Sequence, residues 1–528
     1  MNELRLPDSA GRTWVPTLLL AVCTVGVVLV RPALPVDETR YLEILREHLS
    51  GNLFLLHLRG EAYAEKPPLL FWLARTLCAL GFSPQVTLRL IPALAATLTV
   101  PLVARVGRRA GLELAGWMQA ALLLPFLMGQ FLFFDSLLSC AVWAAVDAWT
   151  RGRDGQATLA ASLALLAKGP VAFLFLGPLL WALAPLRPAA PSLRRAATVL
   201  SLALIPLALW AVAAAVAGGP AFARSLLWER WAGRLVRTFA HDRPFYFYVP
   251  VVLVGALPAT PLFLRRNAAE AEVWTRRLLC ALVGILLAFT LISGKQAHYL
   301  VPAAPGLALW AAWKVKRSPG GARGLRQGAR AVLLLLAVAA ILGMVFGGEL
   351  RGAAGASGRA YLDGGGPRLL LSAALVLSVL GAAATRRATS PATLLAIVLG
   401  CAGATSLVAH RVAGRLLYPR ALERALDVDP RTPVARLASS QHGLLALFAR
   451  RDRLDVLRDT DELLRWAAAH PGGRIVVDRG VFPETLPRGL TMVASDVAHN
   501  NPLLVVLVSA DPGAFGRART DAGATGER

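Results

Sequence analysis

"PLLFWLARTLCALGF", residues 68–82, is the stretch on which the fold turns. It is apolar, but it holds only fifteen residues. Crossing roughly 30 Å of hydrocarbon takes about 20. Pro67 and Pro68 stand at its start and Arg75 in its middle. Those features suit a helix lying along a membrane surface better than a span. Around it the chain is rich in apolar runs: 14–31, 86–106, 112–131, 135–150, 155–168, 170–186, 195–217, 246–264, 275–293, 297–313, 330–347, 368–385 and 390–409. If 68–82 crossed as a fourteenth, the basic clusters "RVGRR" (105–109) and "RGR" (151–153) and most later basic loops would face outward. If it does not cross, those two share the cytoplasmic side with "LRR" (193–195), "RR" (265–266), "RR" (276–277), "KVKR" (314–317) and "RR" (386–387), as the positive-inside rule requires. The sequence therefore predicts an all-α polytopic membrane protein of about thirteen transmembrane helices. Its outward loops would be 32–85, 132–134, 169, 218–245, 294–296, 348–367 and the tail after 409.

Composition agrees. The 528 residues are 56% hydrophobic, with mean hydropathy +0.55, too apolar for a string of soluble domains. The net charge of +24 is mostly topological, and no basic face with interleaved aromatics marks a nucleic-acid site. Cys23, Cys78, Cys140, Cys280 and Cys401 all lie in apolar segments without CxxC spacing, so they read as small buried hydrophobes. The first span reads as a retained signal anchor. After 409 the charges are mixed, 17 arginines against 14 acidic residues. "DTDELLRWAAAH" (459–470) reads as an amphipathic helix, and "GRIVVDRG" and "NPLLVVLVS" as strands. The expected organisation is a transmembrane domain over 1–409, a small outward-facing α/β domain over 410–511 and a disordered tail over 512–528.

Directly after the first span comes "VDETRYLEILREHLS" (36–50). Leu42, Leu45 and Leu49 form an apolar stripe at spacings of three and four, which predicts a helix on the outer surface docked to the bilayer. Asp37, Arg40 and Tyr41 share another face. Further polar residues at the outer boundary are Tyr63, Glu65 and Lys66 in "YAEKPP", Asp135 in "FFDSLL", Arg234, Arg237, His241 and Arg243 in 229–248, and Lys295, His298 and Tyr299 in "SGKQAHYLVP". Ionisable groups at the edge of hydrocarbon are kept mainly for function or pairing. Cations and carboxylates converging from several loops suit a lipid phosphate, with carboxylates left to position or deprotonate an acceptor or to hold a metal.

"DETRY", "YAEKPP", an Asp entering a span, "LLAKGP", the H-x-R-P-F-x-x-Y loop and "SGK-x-x-x-Y-x-x-P" together resemble the aminoarabinose transferase and protein O-mannosyltransferase superfamily over about residues 14–315. The resemblance implies a C-type glycosyltransferase fold and a polyprenyl-phosphate sugar donor used at the outer face of a bacterial inner membrane. It implies Asp37 and Asp135 as catalytic acids, and Lys66, Lys295 and Tyr299 at the donor phosphate, where Arg40, Tyr41 and Arg243 are further candidates. It implies Glu65 and His241 as holders of a divalent metal, with zinc the expected ion. The segment before Asp135, "GQFLFF", departs from the family pattern in lacking small polar residues, which leaves the acceptor side open. A lipid A-like envelope lipid fits the resemblance best, and a protein Ser/Thr is the alternative. Plainer readings stand beside these: Asp37 as a helix cap, Lys66 as a snorkelling cation, Lys168 as an interfacial anchor, His241 as a solvated loop histidine, Asp147 as a structural partner of Arg151. A transporter of lipid-linked saccharide is the competing class, but no internal repeat is present. A noncatalytic scaffold leaves the paired acids unexplained.

Overall fold

A computed structural model of the protein describes residues 14–34, 37–58, 60–189, 193–226, 243–265, 271–292, 294–345, 366–417, 420–429, 431–437, 454–478, 486–498 and 501–508. The molecule is mostly helical. Seven of the described helices are long and apolar enough to span a membrane: Pro84–Arg109, Asp154–Leu186, Leu193–Arg224, Val273–Leu291, Gly321–Val345, Pro367–Ala384 and Pro391–Gly414. Trp14–Val30 is apolar but shorter.

The difference from thirteen uniform spans has local causes. The run 112–131 is broken into Ala115–Ala121 and Leu123–Met128, with Leu122 extended between them. The run 246–264 is α-helical only over Tyr248–Gly255, with the 3-10 turns Phe245–Phe247 and Thr260–Leu264 on either side, and 297–313 begins as the 3-10 turn Ala297–Ala303 before Ala304–Arg317. The first two breaks answer each other, because Leu123 N–H donates to Leu257 O at 2.9 Å. Non-helical backbone inside a membrane protein persists where such partners exist. Asp154–Lys168 and Phe173–Leu183 are joined through Gly169, at φ +76°.

The stretch 68–82 contains an eleven-residue helix, Leu69–Ala79. At 1.5 Å per residue it is about 16 Å long, half a hydrocarbon thickness. Its polar residues have particular work. Arg75 donates to His48 O at 2.8 Å and Gly51 O at 3.1 Å, covering the carbonyl end of the preceding helix Asp37–Ser50. Trp72 Nε1 donates to Leu53 O at 2.7 Å.

The helix Asp37–Ser50 forms as predicted, but its apolar stripe faces elsewhere. Leu42 and Leu45 are buried together with Tyr41 and Ile44, and Leu49 packs on the same core. The buried face is too wide for a bilayer-docking stripe. It packs on the helix Leu69–Ala79, on Pro84–Arg109 and on the small hairpin of strands β1 (His57–Leu58) and β2 (Glu61–Ala62).

Contacts gather the basic clusters at one end of the bundle. Asp147 is held by Arg105, Arg109 and Arg151 at 3.1, 2.9 and 3.1 Å, matching its structural reading. Lys316 reaches Gly111 O, Lys314 reaches Arg265 O, Arg317 reaches Glu272 and Arg326 reaches Ala388 O. Arg187 pairs with Asp154. The acids and lysines of the outer loops lie at the opposite helix ends.

The last long helix runs to Leu417, so the boundary expected at 409 falls inside it. Beyond lies a sheet of strands β3 (Val434–Leu437), β4 (Asp455–Leu457), β5 (Arg474–Asp478), β6 (Leu490–Ala498) and β7 (Asn501–Val508), in the order β4-β3-β5-β7-β6. The β3 pairings are parallel, those of β7 antiparallel. Period-two alternation splits the faces. Ala435, Leu437, Ile475 and Val477 cover Leu463 and Ala467 of the helix Thr460–Ala469, while Val434, Val476 and Val505 join Leu422 and Leu426 in the main core. The tail 512–528 lies outside the described residues. All five cysteines are free thiols, and Cys280 is exposed rather than buried.

Candidate functional site

The site begins at the first turn of Asp37–Ser50, where Asp37 and Glu38 suit the positive end of the helix dipole. Asp37 is half-exposed and pairs with Arg40 Nη2 at 2.7 Å. So open an ion pair adds little to stability, which leaves both groups available to a ligand. Arg40 also lies 5.2 Å over the Tyr41 ring. Tyr41 is buried, edge-on to Phe134 at 5.2 Å and to Phe71 at 6.3 Å.

The hairpin then delivers "YAEKPP". Gly60, at φ +79°, turns it, its N–H donates to Glu47 Oε2 at 2.9 Å, and Tyr63 N–H donates to Leu56 O at 2.8 Å. Tyr63 O–H donates to Glu65 Oε2 at 3.3 Å. Burial, then the neighbouring Asp37, raises the pKa of Tyr41; burial, then Tyr41 and Glu65, raises that of Tyr63. Both phenols therefore stay protonated, Tyr63 as a donor to Glu65 and Tyr41 accepting from Arg40 Nη2 at 3.4 Å. Lys66 Nζ lies 5.6 Å over the Phe134 ring, so Tyr41 and Lys66 meet on one aromatic side chain.

Phe134 is followed by Asp135, at the start of the helix Phe134–Thr150. Asp135 does not face open space as Asp37 does. It is 2% exposed, with Lys168 Nζ at 2.5 Å from Oδ1 and His298 Nε2 at 3.7 Å from Oδ2. Lys168 is therefore the counter-ion of Asp135 and no mere interfacial anchor; its ammonium also sits 4.5 Å over the Tyr299 ring. His298 stacks on Phe133 at 4.2 Å. The expected picture of two acids facing across a common acceptor gives way to one half-exposed acid and one buried, neutralised acid, linked through Phe134. The sequence signal for Lys168 was present in "LLAKGP", where a lysine closes an apolar helix just before a left-handed glycine.

Lys295 is buried and donates to Arg243 O at 3.1 Å, tying the 243–248 segment to the 294–303 segment. Arg243 lies 5.7 Å over Phe247. Arg40, Lys66, Lys168, Arg243 and Lys295 thus supply five cations against the three carboxylates Asp37, Glu65 and Asp135, a surplus that suits an anionic ligand. An apolar cavity of about 210 Å³ is lined by Leu300, the residue after Tyr299, with Ala303 and Leu307 and with Val252, Leu282 and Leu286. His241, Arg234 and Arg237 lie outside the described residues. Among the described residues no three of His, Cys, Asp and Glu gather as a metal site, so Glu65 alone does not make one.

No family model matches the chain. It is similar to undecaprenyl phosphate-alpha-4-amino-4-deoxy-L-arabinose arabinosyl transferases. With that of Enterobacter sp. (strain 638) it shares 30% identity over 298 residues, 52% of this chain and 54% of the relative. With the transferase 2 of Pseudomonas fluorescens (strain Pf0-1) it shares 29% over 376 residues, 64% of this chain and 66% of the relative. The chain thus spans about half to two thirds of the length of these relatives. Its fold is that of ArnT from Cupriavidus metallidurans. The apo crystal structure matches with TM-score 0.72 at 19% identity, covering 96% of this chain and 99% of that one. The structure bound to undecaprenyl phosphate matches with TM-score 0.70 at 20% identity, covering 95% and 99%. The resemblance to the aminoarabinose transferase superfamily read from the motifs is borne out.

Proposed function

We propose that the chain is an integral-membrane glycosyltransferase that moves a sugar from a polyprenyl-phosphate donor to a lipid A-like envelope lipid. The names of the relatives make 4-amino-4-deoxy-L-arabinose on undecaprenyl phosphate the donor to try first. One observation carries the reading: a cation-rich cluster with a half-exposed carboxylate stands at one end of the bundle, and the 294–303 segment that brings Lys295 to it also lines an apolar cavity with Leu300 and Ala303. Lys66, Lys295 and Arg243 would neutralise the donor phosphate, and the cavity lined by Leu300 and Ala303 would take the isoprene chain. In the transfer the acceptor oxygen bonds to the anomeric carbon while the bond from that carbon to the phosphate oxygen breaks. The electron pair leaves on polyprenyl phosphate, where lysine and arginine stabilise it. Asp37 holds the acceptor in line and, for a hydroxyl acceptor, takes its proton. Asp135 and Lys168, mutually neutralised, shape the floor of the site.

The same reading puts the site and the C-terminal residues 410–511 on the periplasmic side of the inner membrane, with about thirteen crossings once the broken and short helices are counted. It is supported by the basic clusters at the opposite end. Zinc shared by Glu65 and His241 is part of the proposal, and metal analysis of wild-type and Glu65→Gln protein tests it.

The test uses purified protein in liposomes with undecaprenyl-phosphate aminoarabinose and lipid A, reading the acceptor by mass spectrometry. The expected result is a pentosamine mass increment, lost by at least about a hundredfold in Asp37→Asn with donor binding kept. Unmodified lipid A alongside donor that has merely crossed the bilayer would make the chain a transporter. A near wild-type rate in Asp37→Asn would reduce Asp37 to a helix cap.

A further inference from the structure

Glu38 follows Asp37 in sequence but points the opposite way, into the protein, where it is 7% exposed. Its carboxylate accepts four hydrogen bonds. Arg31 Nη1 donates to Oε2 at 2.7 Å and Arg31 Nη2 to Oε1 at 2.5 Å, a two-pronged clamp. Leu34 N–H donates to Oε2 at 2.9 Å, and Leu132 N–H to Oε1 at 3.2 Å. Leu34 stands three residues before Asp37, and Leu132 three residues before Asp135. One buried carboxylate is therefore bonded to the approach segments of both candidate acids.

The clamp is itself anchored. Arg31 Nη2 also donates to Gln130 O at 2.9 Å, and Arg89 Nη1 donates to Arg31 O at 2.5 Å. The Gln130 side chain is held by Ser406, by His410 at 3.1 Å and by Phe126 O at 3.1 Å. The helices Trp14–Val30, Pro84–Arg109 and Pro391–Leu417 all converge on it. Stability alone does not call for such an arrangement, since well-packed apolar residues usually serve as well as a buried ion pair. What the ion pair adds is a fixed register between two loops that no continuous helix connects.

We propose that Glu38, clamped by Arg31, is a positioning residue that sets the segment before Asp37 against the segment before Asp135, and so fixes the geometry of the site. The proposal rests on the reading of those two acids as the site, and goes beyond it in naming what holds them. The single variant Glu38→Gln leaves Arg31 buried and uncompensated, so the double variant Arg31→Met/Glu38→Gln accompanies it. Two readouts are taken on the full-length protein. Hydrogen exchange at the Leu34 and Leu132 amides should speed up at least tenfold in the double variant, while amides within Phe134–Thr150 exchange as before. Turnover should fall at least tenfold with the donor KM within twofold of wild type, even though thermal stability recovers relative to the single variant. Unchanged exchange at Leu132 would overturn the proposal. So would turnover that recovers along with stability, because Glu38 would then only have held the fold. If wild-type protein transfers no sugar, the glycosyltransferase reading fails while the exchange rates still decide the clamp.

Discussion

Neighbouring acids in this chain have unlike fates, and their surroundings decide which. Asp37 meets water and one arginine; Glu38, one position on, meets only buried donors. Asp135 lies among Lys168, His298 and an aromatic wall. The sequence made the acids legible, because carboxylates at the hydrocarbon edge are rare and expensive. It did not make their partners legible. Lys168 stands 33 residues from Asp135, and at the end of an apolar run it is indistinguishable from an interfacial anchor until the two helices are placed side by side. The distinction has a measurable consequence. Removing an anchor that snorkels to headgroups changes little, whereas removing one member of a buried pair leaves a bare charge, at about 3–5 kcal/mol. Lys168→Met should therefore lower the thermal midpoint by several degrees and abolish transfer, and Lys168→Met/Asp135→Leu should regain most of the stability without activity. A Lys168→Met protein as stable as wild type would restore the anchor reading.

Among elements, the helix Asp37–Ser50 shows what periodicity tells and withholds. Its charged, evenly spaced pattern announced a helix. The target of its apolar face was a separate matter, settled by the short helix Leu69–Ala79, whose Arg75 covers its carbonyl end. The broken helices were hidden for a related reason: hydropathy does not register an extended Leu122 whose neighbour finds its partner at Leu257, 134 residues away in sequence. The covered helix end creates a pH dependence. His48 is 1% exposed, and burial followed by the Arg75 charge pushes its pKa down to about 4. A helix C-terminus would by itself favour the imidazolium, but burial and Arg75 outweigh it. The unfolded chain binds the proton near 6.5 and the folded one only near 4. Stability is thus full above pH 6.5 and declines as pH falls from there towards 4, by roughly 3 kcal/mol. Thermal midpoints measured across that window should fall in wild-type protein and fall less in His48→Phe. Equal slopes in the two proteins would mean that other groups carry the acid sensitivity.

At the scale of the whole molecule, charge asymmetry was the most legible feature, because it needs only counting along the chain. Contacts between distant residues turn that count into geometry: Lys316 with Gly111, Arg326 with Ala388 and Arg187 with Asp154 bring separate basic loops to one end. The small sheet was partly legible, its apolar strands plainly and its order β4-β3-β5-β7-β6 not at all, since strand order is not written in periodicity. The topology follows from the ends. If Leu69–Ala79 lies along the surface, the chain must stay on the outer side from the surface helix to Ser83 and then cross inward through Pro84–Arg109. Single cysteines placed in a background lacking the five native ones should report this directly. Positions 84 and 427 should react with a membrane-impermeant maleimide added to intact spheroplasts, and positions 108 and 316 only after lysis. Position 84 follows the disputed stretch directly, so a crossing there would invert it and every basic cluster that follows. A label at 84 appearing only after lysis would place Leu69–Ala79 across the membrane, turn the basic clusters outward, and remove the charge argument for a periplasmic site.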